Sequence, residues 1–246
     1  MTEFECEKVL PYEGEGSKTE QISEMFDHIA RQYDKMNRLM SLGQDKVWRR
    51  KAIEALASYR PERVLDVATG TGDFAIAVTE RLKPKRVLGV DISEEMMKVG
   101  AEKVEKLGLS DVVSFEKGDS LDLHLDDASF DAVTVAFGVR NFSSIEKGLS
   151  EISRVLVPGG TLAILEMTEP ENGFLRLGYK IYTKCCLPIF ARFFAKDLKA
   201  YDYLPASIKA FPKDDQMRGI LKKCGFSSVD IRKFTMQTCS FYLARK

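Results

Sequence analysis

Three aspartates and a glycine turn hold the residue types whose spacing could do chemistry in this chain. In VLDVATGTGDFA, Val64 to Ala75, the residues Gly70, Gly72 and Ala75 satisfy G-x-G-x-x-G/A. That spacing makes a turn between a strand and a helix, where backbone N–H groups and a helix N-terminus meet a ligand. Asp91 follows about 20 residues on, where an acceptor for a ribose diol belongs. A dinucleotide and S-adenosylmethionine both carry that diol and both use such a turn. Asp66, near the carboxyl end of the strand, separates them. Its carboxylate repels a pyrophosphate but attracts the α-ammonium of a methionine moiety, directly or through water, while turn amides take up the carboxylate. Charge-assisted bonds of this kind contribute roughly 1.5–3 kcal/mol each. Gly118-Asp119-Ser120, after the third strand, supplies a polar group where an adenine lies. The expected cofactor is S-adenosylmethionine.

The elements that must position these residues follow from hydrophobic period. Ile22, Met25, Phe26, Ile29, Tyr33 and Met36 fall at helical spacing and predict a helix over about 20–40. Leu42-Gly43 breaks it, and a second helix spans Trp48 to Ala57. Short apolar runs then alternate with helical stretches: RVLDVA (63–68), RVLGVD (86–91), VVSFEKGD (112–119), FDAVTVAF (130–137) and TLAILEM (161–167). Helices are expected near 73–82, 93–107 and 144–156. Such alternation predicts an α/β doubly wound, mostly parallel sheet. Residues 174–197 form an aromatic-rich insertion after the fifth strand, and 200–212 read as loop plus short helix. A helix over 213–224 precedes two strands joined tightly near Phe234 to Gln237, which must be antiparallel. Together these make seven strands in one domain, 1–246, and the polar, acidic start predicts a mobile segment before residue 20.

Bulk properties exclude several classes. Lys plus Arg and Asp plus Glu number 37 each, so no global field draws nucleic acid to the chain. The five cysteines contain no C-x-x-C and are expected reduced, which points to a cytoplasmic protein. Two scattered histidines leave no zinc motif. No uncharged apolar run reaches membrane-spanning length, so any membrane contact is peripheral.

Beyond the turn, the chain resembles the ubiquinone/menaquinone biosynthesis C-methyltransferases from about Met25 to Cys224. The resemblance rests on MFDHIARQYDKMNRLMSLGQDKVWRR (25–50), the glycine turn, GVDISEEMM (89–97), FGVRNF (137–142), RVLVPGGTLAILE (154–166) and AYDYLPASIKAFP (200–212). It implies a class I S-adenosylmethionine-dependent methyltransferase fold, with 20–60 as helical cover, 63–167 as cofactor core and 170–212 as acceptor insertion. It also implies that Thr71, Asp91, Asp119 and Ser120 contact the cofactor. Family members with serine before FGxRN gain a further contact, absent here because that residue is Ala136. The broader methyltransferase pattern has glycine at Ala68, and alanine there implies a negative φ.

The reaction implied is transfer of a methyl group to a ring carbon of a polyprenylated hydroquinol, demethylmenaquinol in a bacterium. The benzoquinol of ubiquinone synthesis, another small acceptor and a non-catalytic scaffold are the alternatives. Arg140 is expected to orient a quinol oxygen or a water, Asn141 to fix the ring and Tyr33 to cover the cofactor. The competing readings pair Arg140 with a helix carboxylate, make Asn141 a cap near Ser143, and place Tyr33 in the core. His28 is expected at the surface, and Glu166 ends the fifth strand at the same edge. Phe174, Leu175, Leu177, Tyr179, Ile181, Tyr182, Leu187, Ile189, Phe190, Phe193 and Phe194 are expected to line a prenyl tunnel or rest on a bilayer, with Lys180, Lys184, Arg192, Lys196 and Lys199 toward headgroups. Core packing or a homodimer interface is the alternative for them.

Overall fold

A computed structural model describes residues 3–183 and 199–246. Its centre is a seven-stranded sheet in the order β3-β2-β1-β4-β5-β7-β6. Strands β1 (Arg63–Val67), β2 (Arg86–Asp91), β3 (Val113–Lys117), β4 (Phe130–Ala136) and β5 (Leu156–Met167) are parallel. Strand β7 (Cys239–Arg245) runs antiparallel between β5 and β6 (Ser228–Phe234). The tight join predicted for the last pair is a turn with Thr235, Met236 and Gln237 all at positive φ.

The sheet is buried on both faces, which is why its strands read as continuous apolar runs. Leu65, Leu88, Val133 and Ile164 pack on one face, against α6 (Ile145–Val155) and α9 (Asp214–Lys223). Val64, Val87, Ala132 and Ala163 pack on the other, against α3 (Gln44–Leu56) and α4 (Asp73–Leu82). Helix α6 presents Ile145, Leu149, Ile152 and Val155, all fully buried, at the spacing of one helical face. Helix α5 (Glu94–Lys106) packs on β3 and carries α2 (Lys18–Met40) on its outer side.

Strand order reverses at β1 and β4. The chain leaves β1 toward β2 on one side and later fills β4 on the other, which opens a crevice at their carboxyl ends. Helix α2 lies across that crevice as a roof.

Four details depart from the sequence reading. The second helix begins at Gln44, one residue past Gly43, whose φ of +75° makes the break. The fifth strand starts at Leu156, because the Pro158-Gly159-Gly160 segment is accommodated as a bulge in the pairing with β4. The stretch expected as loop plus short helix is one helix, α8 (Lys199–Ala210), with Pro205 inside it, and it ends before Pro212. The start of the chain, expected to be mobile, is docked. Helix α1 (Glu5–Lys8) buries Cys6 completely, and the Glu7 carboxylate accepts the Ile145 N–H at 2.6 Å and the Phe4 N–H at 2.8 Å. A negative charge at an N-terminus satisfies an orphan donor and the helix dipole together. Helix α7 (Gly173–Ile181) leaves Phe174, Leu177 and Ile181 exposed. The rest of the predicted apolar insertion, including Leu187, Ile189, Phe190, Phe193 and Phe194, lies outside the described residues, as do Lys184, Arg192 and Lys196.

Removing the Glu7 cap should cost stability. Glu7→Ala is expected to destabilise by about 1–2 kcal/mol, the range for loss of an N-terminal cap, lowering Tm by roughly 2–8 °C. An unchanged Tm in a thermal melt would show that the start of the chain is not held to α6.

Candidate active site

The glycine turn is built on two buried carboxylates. Asp66, 1% exposed, accepts hydroxyl donors from Thr69 and from Thr134 across the sheet, each at 2.6 Å. Burial, only partly offset by those hydroxyls, pushes its pKa up to about 6. Asp91, at the end of β2, accepts the Gly70 N–H at 2.7 Å and the Ser93 N–H at 2.9 Å. Burial raises it to about 6 as well.

Between them, Ala68 takes φ +52°, contrary to the negative φ expected of alanine there. The chain must reverse at this point for the Thr69 N–H to reach the Val90 carbonyl at 3.1 Å, and the neighbouring loop fixes the bend from outside. A Cβ on Gly138 would lie 2.5 Å from the Ala68 methyl, so the two segments touch backbone to side chain. The left-handed conformation costs an alanine about 1–2 kcal/mol, which that packing must offset. Gly72, φ +74°, has a different duty: an added Cβ would lie 2.7 Å from the Phe115 ring. It lets the turn close over Phe115 and lines none of the three cavities described next.

Those cavities meet under α2. The first is lined by Gly70, Asp91, Asp119, Ser120 and Asn141. The Asp119 carboxylate accepts the Leu121 N–H at 2.9 Å, which fixes the loop after β3. The second adjoins the turn and is lined by Asp66, Gly70, Thr71, Asp73, Tyr33 and Arg49. The Thr71 hydroxyl donates to Asp34 of α2 at 2.5 Å, so this residue also ties the turn to its roof.

The third cavity is mostly apolar. Met25, Met36, Met40, Trp48 and Met167 contribute to its wall, and Arg140 is its cation. Phe26, Tyr33 and Phe137 border both this cavity and the first. Arg140 is 5% exposed. Its Nη1 donates to Glu166 Oε1 at 2.6 Å and its backbone N–H to Glu166 Oε2 at 3.2 Å. The partner is therefore a strand carboxylate, fully buried, and not a helix carboxylate. Burial works against the charge, but Glu166 holds the guanidinium pKa above its ordinary value. Its Nε is buried with no hydrogen-bond partner. Asn141 accepts the Tyr203 hydroxyl at 3.0 Å and does not cap α6, whose cap is Ser144. His28 is exposed.

Comparison with known proteins agrees with this geometry. The sequence model of the ubiE/COQ5 methyltransferase family matches residues 15–246. A demethylmenaquinone methyltransferase of Bacteroides fragilis is 49% identical over 240 residues, 98% of each chain. One of Porphyromonas gingivalis is 44% identical, again over 98% of each. This chain belongs to the ubiE/COQ5 methyltransferase family. Its fold is shared with a SAM dependent methyltransferase from Aquifex aeolicus, TM-score 0.54 at 24% identity, covering 75% of this chain and 81% of that one.

Of the residues singled out from sequence, Gly70, Asp91, Asp119, Ser120 and Asn141 gather at the first cavity, and Asp66 and Thr71 at the second. Arg140 faces the third, and Tyr33 borders all three. Tyr203 was missed as a site residue, although it sits in the AYDYLPASIKAFP motif. Lys18 was missed too: its ammonium, 7% exposed, donates to the carbonyls of Cys6 and Arg140. Lysine inside a polar stretch carries no local sign of burial.

The raised carboxylates set a pH dependence. Both Asp66 and Asp91 hold a proton more tightly folded than unfolded, so their stabilising contribution is full below about pH 4 and is lost as pH rises through about 6. Asp66→Asn should accordingly raise the Tm of the ligand-free protein at pH 8, with the gain shrinking toward zero near pH 4. A gain independent of pH would contradict the buried charge.

Proposed function

We propose that this methyltransferase uses S-adenosylmethionine to methylate a ring carbon of a polyprenylated hydroquinol, demethylmenaquinol being the best-supported acceptor. The observation that carries the reading is the junction of the polar and the methionine-lined cavities at Phe26, Tyr33 and Phe137. One accommodates a nucleoside, the other a large apolar acceptor, and the shared wall is where the two must meet. The names of the B. fragilis and P. gingivalis relatives support the same acceptor.

The residues fit the cofactor. The Asp91 carboxylate is held by the Gly70 and Ser93 N–H groups and lines the first cavity, where it would accept a ribose diol. Asp119 and Ser120 are positioned for the adenine, and Asp66, Gly70 and Thr71 for the amino-acid end. When bound, S-adenosylmethionine supplies an electrophilic methyl group on a sulfonium.

The chain's own residues then govern the acceptor. Arg140 cannot act as a base, because a guanidinium stays protonated in proteins. Its role is to favour the ionised quinol oxygen, directly or through a water, which pushes electron density onto the adjacent ring carbon. As that carbon takes the methyl group, the sulfonium–carbon bond would break with its electron pair left on sulfur, and the quinol O–H and ring C–H protons would pass through water to solvent. Glu166 holds the guanidinium in place, while Tyr203 holds Asn141 against the ring. The dry methionine and aromatic wall excludes water and strengthens the Arg140 charge. A quinone, being electrophilic, is no substrate for this arrangement. No described helix is long and apolar enough to cross a membrane. The exposed Phe174, Leu177 and Ile181 face of α7, with Lys180 nearby, is where peripheral contact with the bilayer that holds the acceptor is proposed.

Two outcomes test this. Turnover of a short-chain demethylmenaquinone should require a reductant such as dithionite, and equal rates on the oxidised form would defeat the mechanism. Arg140→Ala should lower kcat by about 10²–10⁴-fold with little change in cofactor affinity, and Arg140→Lys should recover little of it. A near-normal kcat in Arg140→Ala would confine Arg140 to pairing with Glu166.

A further inference from the structure

A second buried arginine has no place in the mechanism above. Arg49, on α3, is 7% exposed and lines the small cavity beside the glycine turn. Its Nη1 donates to Asp45 one helical turn earlier at 2.8 Å, and Asp45 is itself fixed by the Ser41 hydroxyl at 2.8 Å. Its guanidinium lies 5.6 Å from the centroid of the Phe137 ring. Asp73, the other carboxylate nearby, is 4.0 Å away and is already held by Lys103 at 2.6 Å. The Arg49 Nε is buried and unpartnered. A guanidinium has five donors in a rigid fork, and leaving one buried donor unmet carries its full desolvation cost. The Asp45 pair alone therefore does not account for the residue.

The charges around this cavity fit one kind of ligand. Its cation is Arg49, on the α3 side; Asp66, on the β1 side, and Asp73, which pairs with Lys103 at 2.6 Å and lies 4.0 Å from Arg49, are its carboxylates, and the turn residues Gly70 and Thr71 complete the lining. An amino-acid moiety carries the complementary pair, a carboxylate and an ammonium on one carbon. We propose that Arg49 binds the α-carboxylate of the amino-acid end of S-adenosylmethionine, opposite the Asp66 side that takes its ammonium. This rests on the cofactor reading above and adds a residue to it. Guanidinium and carboxylate match as planar forks, and the pair forms out of water, where it discriminates strongly against a ligand lacking the charge. Arg49 also leans on Phe137, so the same contact joins the cofactor's amino-acid end to the wall shared with the acceptor.

Calorimetry of ligand binding, with no turnover, decides the matter. The probes are S-adenosylhomocysteine and S-adenosyl-3-thiopropylamine, which keeps the ammonium and lacks the carboxylate. Wild type should bind the second about 30- to 100-fold more weakly. In Arg49→Met that ratio should fall to near 1, with affinity for the carboxylate-free probe within about threefold of wild type. Arg49→Lys, which keeps a charge and most of the stem, should give a ratio between the two. A ratio in Arg49→Met equal to wild type overturns the assignment, and so does a wild-type ratio near 1. Should Arg49→Met not fold, Arg49→Lys decides: a ratio as large as wild type overturns the assignment, and a reduced one supports it. Failure of wild type to bind either probe would instead overturn the cofactor reading itself.

Discussion

The buried ion pair between Arg140 and Glu166 is the interaction on which the site depends. Glu166, with no exposed surface, lies near the end of β5, an interior strand of the sheet, and both its oxygens hold Arg140, one at the backbone and one at the guanidinium. A charge so placed must be compensated, and removing one partner of a buried pair typically costs about 3–5 kcal/mol. The pair therefore pins the loop after β4 to the core. From that loop the constraint spreads outward: the Arg140 carbonyl accepts from Lys18, Lys18 also holds the Cys6 carbonyl, and Glu7 caps α6. A core strand, the acceptor loop, the roof helix and the start of the chain are thus one connected polar network.

That network explains how a polar roof can cover an apolar cavity. Helix α2 turns Met25, Met36 and Met40 inward and buries Ile22 and Met25 against Tyr203, and polar contacts also tie it to the core. Asp34 accepts from Thr71, and Asp27 accepts the Ser93 hydroxyl at 2.6 Å. Such contacts are directional, so they place the roof without filling the space beneath it. Methionine suits the inner face because its unbranched thioether adapts to ligands of differing shape.

Site and fold also stand in tension. Asp66 and Asp91 are buried with their pKa values raised to about 6, and Ala68 is held in the left-handed region. Each works against stability in the ligand-free protein. Charges held out of water and aimed at a cavity become favourable only when a ligand meets them, which is how a binding site differs from a core.

How far the sequence reached follows from the range of each force. Strand and helix positions were legible because a sheet covered on both faces demands short continuous apolar runs and a helix stripe repeats every three to four residues, signals contained in neighbours. The glycine turn was legible because φ near +56° and +74° at Gly70 and Gly72 excludes most other residues locally. Asp66 and Asp91 were legible because they end strands that announce themselves. The side-chain partners were not. Glu7 meets Ile145 138 residues away and Lys18 meets the Arg140 carbonyl across 122. Nothing in the acidic, polar start distinguishes a docked segment from a solvated one. Ala68 shows the same limit in the backbone: its own preference is for negative φ, and contact with Gly138 outweighs it. Sequence alone determined the elements, their order and the ligand-facing turn, because these depend on short-range sterics and periodic burial. Tertiary structure alone decided which buried charges pair and where the unpaired donors of Arg49 and Arg140 lie, because partner choice is settled only when distant segments are brought out of water together.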